Sequence, residues 1–183
     1  MMTSTTLNPA ALKADVHLVT SPAPVIPTRT VTVTINGIST TVIAQSFTDR
    51  IFITVTQLSK FGCLYQASTS SNPAAPFEDG AIGTGLPPPL PTTVVSKLVG
   101  TEPSPAYTTL YQLYVSQIAS IVKSGASGED RPLVVSLALK TSPSAEKGRD
   151  EEDDEAEELL LTSEDERARF MAVMEAVQRC MVW

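Results

Sequence analysis

Hydrophobic and polar residues alternate along the early part of the chain, as they do in β-strands with one buried face. In residues 29–46, valines alternate with threonines as far as Asn36-Gly37, and the alternation then resumes. An Asn-Gly pair between two such runs indicates a β-hairpin, because both residues tolerate the positive φ angles of a type I′ turn. Residues 50–58 and 63–68 alternate in the same way on either side of a short turn. The pattern predicts a four-stranded antiparallel meander.

The second half of the chain mixes strand and helix patterns. Residues 92–100 and 131–141 predict a fifth and a sixth strand. Between them, tyrosines and isoleucines recur every three or four residues, which predicts a helix that begins near Pro105 and ends at Gly125. Residues 163–182 predict a second helix. The apolar stripe of the second helix consists of Phe170, Val173, Met174, Val177 and Met181.

The start of the second helix carries a capping-box signal. Glu166 follows Ser163 by three residues, so the serine can accept a hydrogen bond from the Glu166 amide while the glutamate side chain reaches back to the cap amide. Glu175 and Arg179 are four residues apart, which predicts an ion pair on the polar side of the helix.

These elements predict an α+β fold. Several hairpins and few strand–helix–strand alternations favour a six-stranded antiparallel sheet, the four-strand meander plus the two later strands, with both helices mainly on one face. Residues 1–27, rich in Thr, Ser, Ala and Pro, predict a flexible N-terminal arm, and residues 28–183 a single domain. Within that domain, residues 69–91 predict a mobile loop and residues 142–162 an acidic loop.

Two strands have more hydrophobic residues than a sheet with one solvated face would require. The third strand carries Phe52 on the face opposite Ile51 and Ile53, and the sixth strand has apolar residues on both faces. Two helices cover only one side of the sheet, so the other side is expected to meet a partner; alternatively, loop 69–91 or the N-terminal arm folds over it. The candidate partner-facing residues are Phe52, Thr54, Thr56, Val134, Ser136 and Ala138.

Charge narrows the classes of partner. The net charge of the 183 residues is −7, and residues 150–158 hold eight of the 20 acidic residues. The remaining 12 acidic residues face 13 basic ones, and no basic stripe tracks along an element, so nucleic-acid binding is not expected. No apolar run approaches the roughly 20 residues of a membrane span, and residues 1–18 lack the features of a secretory signal. We expect no membrane partner and a location in the cytoplasm, with the nucleus as a second compartment.

Little catalytic chemistry is visible. The chain contains one histidine, His17, and two cysteines, Cys63 and Cys180, at no metal-ligand spacing, so we expect no cofactor, no metal and no enzymatic activity. An enzyme built from carboxylates with Tyr or Lys remains an alternative. The prolines at 87–91 (PPPLP) are expected to belong to a linker, with a polyproline ligand as the alternative.

Three stretches resemble proteasome assembly chaperone 3. The first, FITVTQLSKFGCL, places Val55, Thr56, Gln57, Lys60 and Gly62 as in that family, and the second is the late strand RPLVVSLALK. The third is the C-terminal ending with Cys180, Val182 and Trp183. The resemblance covers residues 28–68, 92–141 and 163–183, and the arm and both long loops exceed the length expected for the family.

The resemblance implies a non-catalytic chaperone with a six-stranded antiparallel sheet and flanking helices. Members pair as a heterodimer with a subunit similar to proteasome assembly chaperone 4, and the pair binds alpha subunits of the 20S core particle, alpha-5 above all, to promote alpha-ring assembly. In isolation we expect a homodimer or aggregation. The competing hypothesis is a dimeric scaffold subunit of a trafficking or signalling complex, because fold alone does not decide function.

Overall fold

The computed structural model describes residues 25–70, 85–125, 129–141 and 161–183. Most of the predicted N-terminal arm, most of loop 69–91 and the acidic run lie outside the described residues. Among the described residues, no helix is long and apolar enough to cross a membrane.

The described residues form six strands and two helices. In chain order they are β1 (Thr28–Ile35), β2 (Ile38–Ser46), β3 (Ile51–Thr56), β4 (Cys63–Thr69), β5 (Thr93–Val99), α1 (Ala106–Gly125), β6 (Leu133–Ala138) and α2 (Glu164–Arg179). The type of every element agrees with the sequence pattern, and Asn36 and Gly37 form the β1–β2 turn with positive φ angles.

The strand order is β1-β2-β3-β6-β4-β5, which corrects two predictions. The sheet is mixed, because β6 runs parallel to β3 and antiparallel to β4. The four early strands do not form one meander either, since β6 lies between β3 and β4. Every residue of β6 is buried, and a strand with apolar residues on both faces exposes the least apolar surface to water at the centre of a sheet.

The connection between β3 and β4 must therefore pass over the end of β6. We call residues 57–62 the crossing loop. The Gln57 amide donates to the Ala138 carbonyl at 2.9 Å, and the Gly62 amide donates to the Ser136 hydroxyl at 3.2 Å. A Cβ atom at Gly62 would lie 1.8 Å from the Leu137 carbonyl oxygen. The loop lies directly on the β6 backbone, and only glycine fits at this position.

Both helices pack on one face of the sheet, as predicted. Helix α2 contacts β1 and β2, α1 contacts β4, β5 and β6, and the two helices contact each other. The core between helices and sheet contains the tyrosines of α1, and the Tyr65 ring of β4 meets Tyr111 edge-on at 6.3 Å. Val173, Met174 and Val177 of α2 are fully buried.

The α2 N-terminus differs from the predicted capping box. Ser163 stands at the cap position but its side chain makes no cap hydrogen bond. Glu166 is instead buried and turned into the core, where it binds Arg169 and Tyr114. The charge-assisted hydrogen bonds from the buried Arg169 to Glu166 are stronger than a cap hydrogen bond at the surface. Such a cap bond typically stabilises a helix by about 1 kcal/mol. The predicted Glu175–Arg179 ion pair is present at 3.8 Å.

The proline segment at 87–91 lies against α1. The Pro87 carbonyl accepts a hydrogen bond from the Gln117 side chain at 2.8 Å, and the Leu90 amide donates to the Ser120 hydroxyl at 3.1 Å. Leu86 packs against the core just before it. The backbone polar groups that a polyproline ligand would present to a partner are thus partly used within the chain.

Candidate protein-interaction face

The face of the sheet opposite α1 and α2 is defined by strand register. We call it the outer face. Directly paired residues point to the same side, and one row runs from Thr30 through Ile43, Thr54, Ser136 and Leu64 to Val99. The neighbouring rows on the same side contain Phe52 and Val134, and Thr56 and Ala138. All six candidate partner-facing residues therefore share the outer face.

The strand residues of the outer face carry no charge. They are Thr28, Thr30, Thr32, Thr34, Ser39, Thr41, Ile43, Gln45, Phe52, Thr54, Thr56, Leu64, Gln66, Ser68, Val94, Ser96, Val99, Val134, Ser136 and Ala138. Among the charged residues of the strands, Lys97 is paired with the inward-facing Tyr65. Depletion of charge distinguishes the centre of a protein–protein interface from ordinary surface.

The crossing loop adds an aromatic side chain above this face. The Phe61 ring lies 6.0 Å from the Phe52 ring, so it extends from the loop across β6 towards the start of β3. Phe61 is nevertheless 67% exposed, and Leu58 at the other end of the loop is 40% exposed. Exposed aromatic residues at a rigid position are typical anchors of protein interfaces.

The loop changes which candidate residues a partner can touch. Ser136 is 0% exposed, and Thr54, Val134 and Ala138 are also buried, whereas Phe52 and Thr56 are half-buried. The Gly62 amide on Ser136 accounts for part of this burial within the chain itself. Sequence reasoning assigned the face but missed Phe61, although its place between Lys60 and Gly62 in the resembling stretch was the available signal.

The residues of the first resembling stretch hold the crossing loop in place. The Thr56 hydroxyl accepts hydrogen bonds from the Leu58 and Lys60 amides at 3.2 and 3.3 Å. The Gln57 side chain donates to the Thr40 hydroxyl at 2.9 Å and accepts from the Lys140 amide at 3.0 Å. Val55 is fully buried under the helices. Together with Gly62, these residues fix a loop of defined shape.

The resembling C-terminal residues close the opposite side of the molecule. Cys180 is buried and its thiol donates to the Val42 carbonyl at 3.5 Å. Val182 and Trp183 pack partly buried against the core, and the indole of Trp183 lies beside Gly125 at the end of α1. None of these three residues lies on the outer face, so the structure separates the ending from the crossing loop.

Strand β5 extends the apolar surface at one edge. Val94, Leu98 and Val99 are each more than half exposed. The pairing of β4 with β5 shifts register between Leu64 and Tyr65. A bulge of this kind bends an edge strand and hinders pairing with a further strand.

A buried ion pair joins α1, α2 and the end of β6. The Arg169 guanidinium binds both carboxylate oxygens of Glu166 and donates to the Lys140 carbonyl at 2.7 Å. The Tyr114 hydroxyl donates to the same carboxylate at 2.9 Å. Burial, together with the Glu166 charge, raises the pKa of Tyr114 well above its usual value.

The ion pair borders a cavity of about 180 Å³ between the β1–β2 turn and the α2 N-terminus. This is the setting in which an enzyme site built from carboxylates would be sought. The Glu166 carboxylate, however, is already bonded to Arg169 and Tyr114, and the Arg169 guanidinium to Glu166 and the Lys140 carbonyl. The geometry is that of a structural cross-link between elements.

A second polar cluster lies near the β5 edge. The Tyr65 hydroxyl donates to Glu102, and Lys97 binds the same carboxylate at 2.9 Å. Burial raises the Glu102 pKa, but the hydrogen bonds from Tyr65 and Lys97 outweigh it and hold the pKa below its usual value. Glu102 therefore stays ionised near neutral pH and serves as an acceptor.

Neither cysteine shows the environment of a nucleophile. Both thiols are free and buried, and burial raises the pKa of each, which is opposite to thiolate activation. Among the residues that the structure describes, no three His, Cys, Asp or Glu side chains are grouped so as to hold a metal ion.

Fold and surface thus define a small α+β protein with an uncharged sheet face and a fixed loop above it. The family of proteasome assembly chaperone 3 matches residues 53–149, just over half of the chain. The chain belongs to the proteasome assembly chaperone 3 family, which is a chaperone family acting in proteasome assembly.

One solved structure is similar to the chain over much of its length. A chain from the crystal structure of a novel chaperone complex for yeast 20S proteasome assembly is 11% identical, with a TM-score of 0.44. The likeness covers 83% of this chain and 96% of that one. No curated protein matches the chain significantly.

Proposed function

We propose that the protein is a non-catalytic chaperone that pairs with a second small subunit similar to proteasome assembly chaperone 4. The pair binds 20S alpha subunits, alpha-5 above all, and promotes formation of the alpha ring in the cytoplasm, with the nucleus as a second compartment. Family membership supports the role in proteasome assembly. The uncharged outer face with the exposed Phe61 is the observation that supports pairing through the sheet.

The flat outer face is large enough to contribute more than half of a standard protein interface. Six strands about 4.8 Å apart and about 20 Å long give roughly 500 Å² of flat surface. A stable interface of standard size buries about 800 Å² on each partner. The crossing loop and the exposed β5 side chains add further contact area on the same side.

The chaperone acts by differential binding. A free alpha subunit bound to the pair has part of its surface covered, so that wrong neighbours are excluded and one order of addition is favoured. Release follows when later subunits add contacts that compete for the same surface. No chemical step is required in this scheme.

Purification from the source cells tests the proposal. The tagged full chain is isolated under gentle conditions and its intact complexes are weighed by native mass spectrometry. One small chaperone subunit together with alpha subunits, and without mature beta subunits, is the expected composition. Recovery of membrane-associated proteins in place of proteasome subunits would contradict the proposal and favour the scaffold hypothesis.

A further inference from the structure

We infer that α1 and β5 form a docking groove, in which an extended and uncharged segment of the bound alpha subunit lies along β5 as an added strand. The inference rests on the proposed function and names the surface that holds the alpha subunit. We call this surface the α1–β5 groove; it lies on the helix side of the sheet and is therefore separate from the outer face. Thr93, Val95, Thr109, Gln112, Leu113 and Ser116 line it around a volume of about 390 Å³.

The exposed surface of α1 differs from that of α2 in its charge. The exposed residues of α1 before its last turn are Thr109, Gln112 and Leu113, and the only charged residue of the helix, Lys123, lies in the last turn. On α2, which packs on the same side of the sheet, every exposed residue except Ala168 is charged. A helix that only faces water usually exposes charged side chains. The uncharged stripe of α1 therefore indicates a surface that a partner covers.

The backbone of β5 presents hydrogen-bonding groups at the border of the groove. In the described part of the sheet, β5 is an edge strand with β4 on one side. The Ser70 amide donates to the Thr92 carbonyl at 3.4 Å, and hydrogen-bonded pairs alternate along an antiparallel ladder. The amide and carbonyl of Val95 therefore point away from β4. The register shift lies beyond Lys97, so the edge is regular from Thr93 to Lys97.

Edge and groove together specify an extended and uncharged occupant. A strand added to β5 bonds its backbone to the edge groups, and every second side chain then points into the groove. Val95 belongs to both features, because its backbone lies at the edge and its side chain lines the groove. No charged side chain lines the groove, so a charged residue entering it would lose water without gaining a counter-ion. The segment is therefore uncharged where it faces α1.

The position of the groove favours the alpha subunit over the second chaperone subunit as its partner. In a pair formed through the outer faces, the helix side of each subunit points away from the other, so the groove stays open to solvent. The groove also adjoins the pairing surface, because Val94 and Val99 of β5 are exposed and lie on the outer face. An alpha subunit in the groove therefore reaches the margin of the pairing surface along one continuous edge.

Binding of the alpha-5 subunit to matched variants tests the inference. The probe is alpha-5, produced separately and titrated against the pair of the full-length chain and its co-purifying small subunit. Leu113→Arg places a charge in the groove at a side chain that is 44% exposed. Val95→Pro removes the amide that points to the edge and leaves the bonds to β4 intact, since proline is tolerated at such positions of edge strands. Ala168→Arg adds the same charge at an exposed position of α2.

Leu113→Arg is expected to weaken alpha-5 binding at least about tenfold, and Ala168→Arg to bind within about twofold of wild type. Val95→Pro is expected to bind at least about fivefold more weakly than Val95→Ala, because the alanine variant also loses the valine side chain but keeps the amide. All four variants are expected to pair with the small subunit as wild type does. Urea unfolding checks that each variant remains folded.

Other results overturn the inference in distinguishable ways. Unchanged alpha-5 binding by Leu113→Arg and Val95→Pro removes the inference and leaves the proposed function. Loss with Leu113→Arg alone rejects the added strand. Loss of small-subunit pairing with a folded groove variant rejects the alpha subunit as the occupant, as do wild-type pairs that join into larger assemblies which Leu113→Arg separates in native mass spectrometry. A wild-type pair that binds no alpha subunit contradicts the proposed function itself.

Discussion

At the scale of single residues, Gly62 shows why one position in the resembling stretch accepts only glycine. Its φ angle is not in the left-handed region, so backbone strain does not explain the glycine. Contact does, since a Cβ would meet the Leu137 carbonyl at 1.8 Å. The crossing loop approaches the β6 backbone closely only because position 62 lacks a side chain.

Gly62→Ala is therefore expected to lower the free energy of unfolding by about 3 kcal/mol, at the upper end of the range for overpacking. Gly37→Ala is the matched control, because Gly37 has a φ of +75° but open space around it. That substitution is expected to cost about 1 kcal/mol, from backbone conformation alone. Urea unfolding of both variants makes the comparison, and equal losses would reject the close approach.

The buried tyrosines make stability fall at alkaline pH. Burial raises the pKa of Tyr65, Tyr111 and Tyr114 above the usual value of 10.0, with the Glu102 and Glu166 carboxylates adding to it for Tyr65 and Tyr114. Above pH 10 the unfolded chain releases these protons while the folded chain keeps them. The unfolded state then binds fewer protons, so the free energy of unfolding decreases as pH rises.

Three such groups correspond to a loss of about 4 kcal/mol per pH unit above pH 10. Urea unfolding between pH 9 and pH 11 measures this slope, after subtraction of the smaller thiol contribution by a Cys63→Ala and Cys180→Ala background. Tyr111→Phe is expected to reduce the slope by about a third. A flat profile across this range would show that the tyrosines ionise equally in both states.

At the scale of elements, the buried ion pair determines how α1, α2 and β6 meet. Glu166 and Arg169 are both at least nine-tenths buried, and Tyr114 and the Lys140 carbonyl complete their hydrogen bonds. A buried pair of this kind stabilises little in itself, yet removal of one member leaves a charge that water cannot reach.

Arg169→Met alone is expected to cost about 3–5 kcal/mol in urea unfolding. Arg169→Met combined with Glu166→Leu is expected to recover a large part of that loss, because no charge then remains buried. The exposed pair provides the control: Arg179→Ala, whose partner Glu175 lies 3.8 Å away, is expected to cost less than about 0.5 kcal/mol. If the double variant is as unstable as the single one, then lost packing, and not the unpaired charge of the buried Glu166, causes the loss in free energy of unfolding.

The elements also show what periodicity could and could not predict. The alternation of residues and the Asn36-Gly37 turn predicted every strand, and three- and four-residue spacing predicted both helices. Strand order was not accessible in this way, because the link between β3 and β4 has the length of a hairpin turn and yet spans β6. The two-sided hydrophobicity of β6 was the available signal for a central position.

The sequence allowed a prediction of which side of the sheet carries the candidate site, but not of which side chains are exposed there. Register placed Phe52, Thr54 and Thr56 on the same side as Val134, Ser136 and Ala138, in agreement with alternation. The contact of the crossing loop with β6 depends on tertiary structure, so the burial of Ser136 had no local signal, and Phe61 was marked only by its place in the resembling stretch. The capping box failed for the same reason, since the buried Arg169 competes for Glu166.

At the scale of the whole molecule, the side of the sheet that the helices cover differs from the outer face. The side with α1 and α2 contains the tyrosine core, the buried ion pair and the C-terminal Trp183. The outer face contains no charged strand residue and is crossed by a fixed loop. The first side provides stability and the second provides the surface for pairing in the proposed function.

We propose that this protein promotes alpha-ring formation through its outer face. Cells that lack the protein, complemented with wild type, with Phe61→Ala plus Thr32→Arg, or with Arg167→Ala plus Ala168→Arg at two exposed positions of α2, test it directly. The measurement is the amount of complete alpha ring and 20S particle, separated on native gels and quantified at equal expression of each variant. We expect wild type and the α2 variant to restore assembly and the outer-face variant to leave it as deficient as in cells without the protein. Normal alpha rings in cells without the protein, or full rescue by the outer-face variant, would contradict the claim.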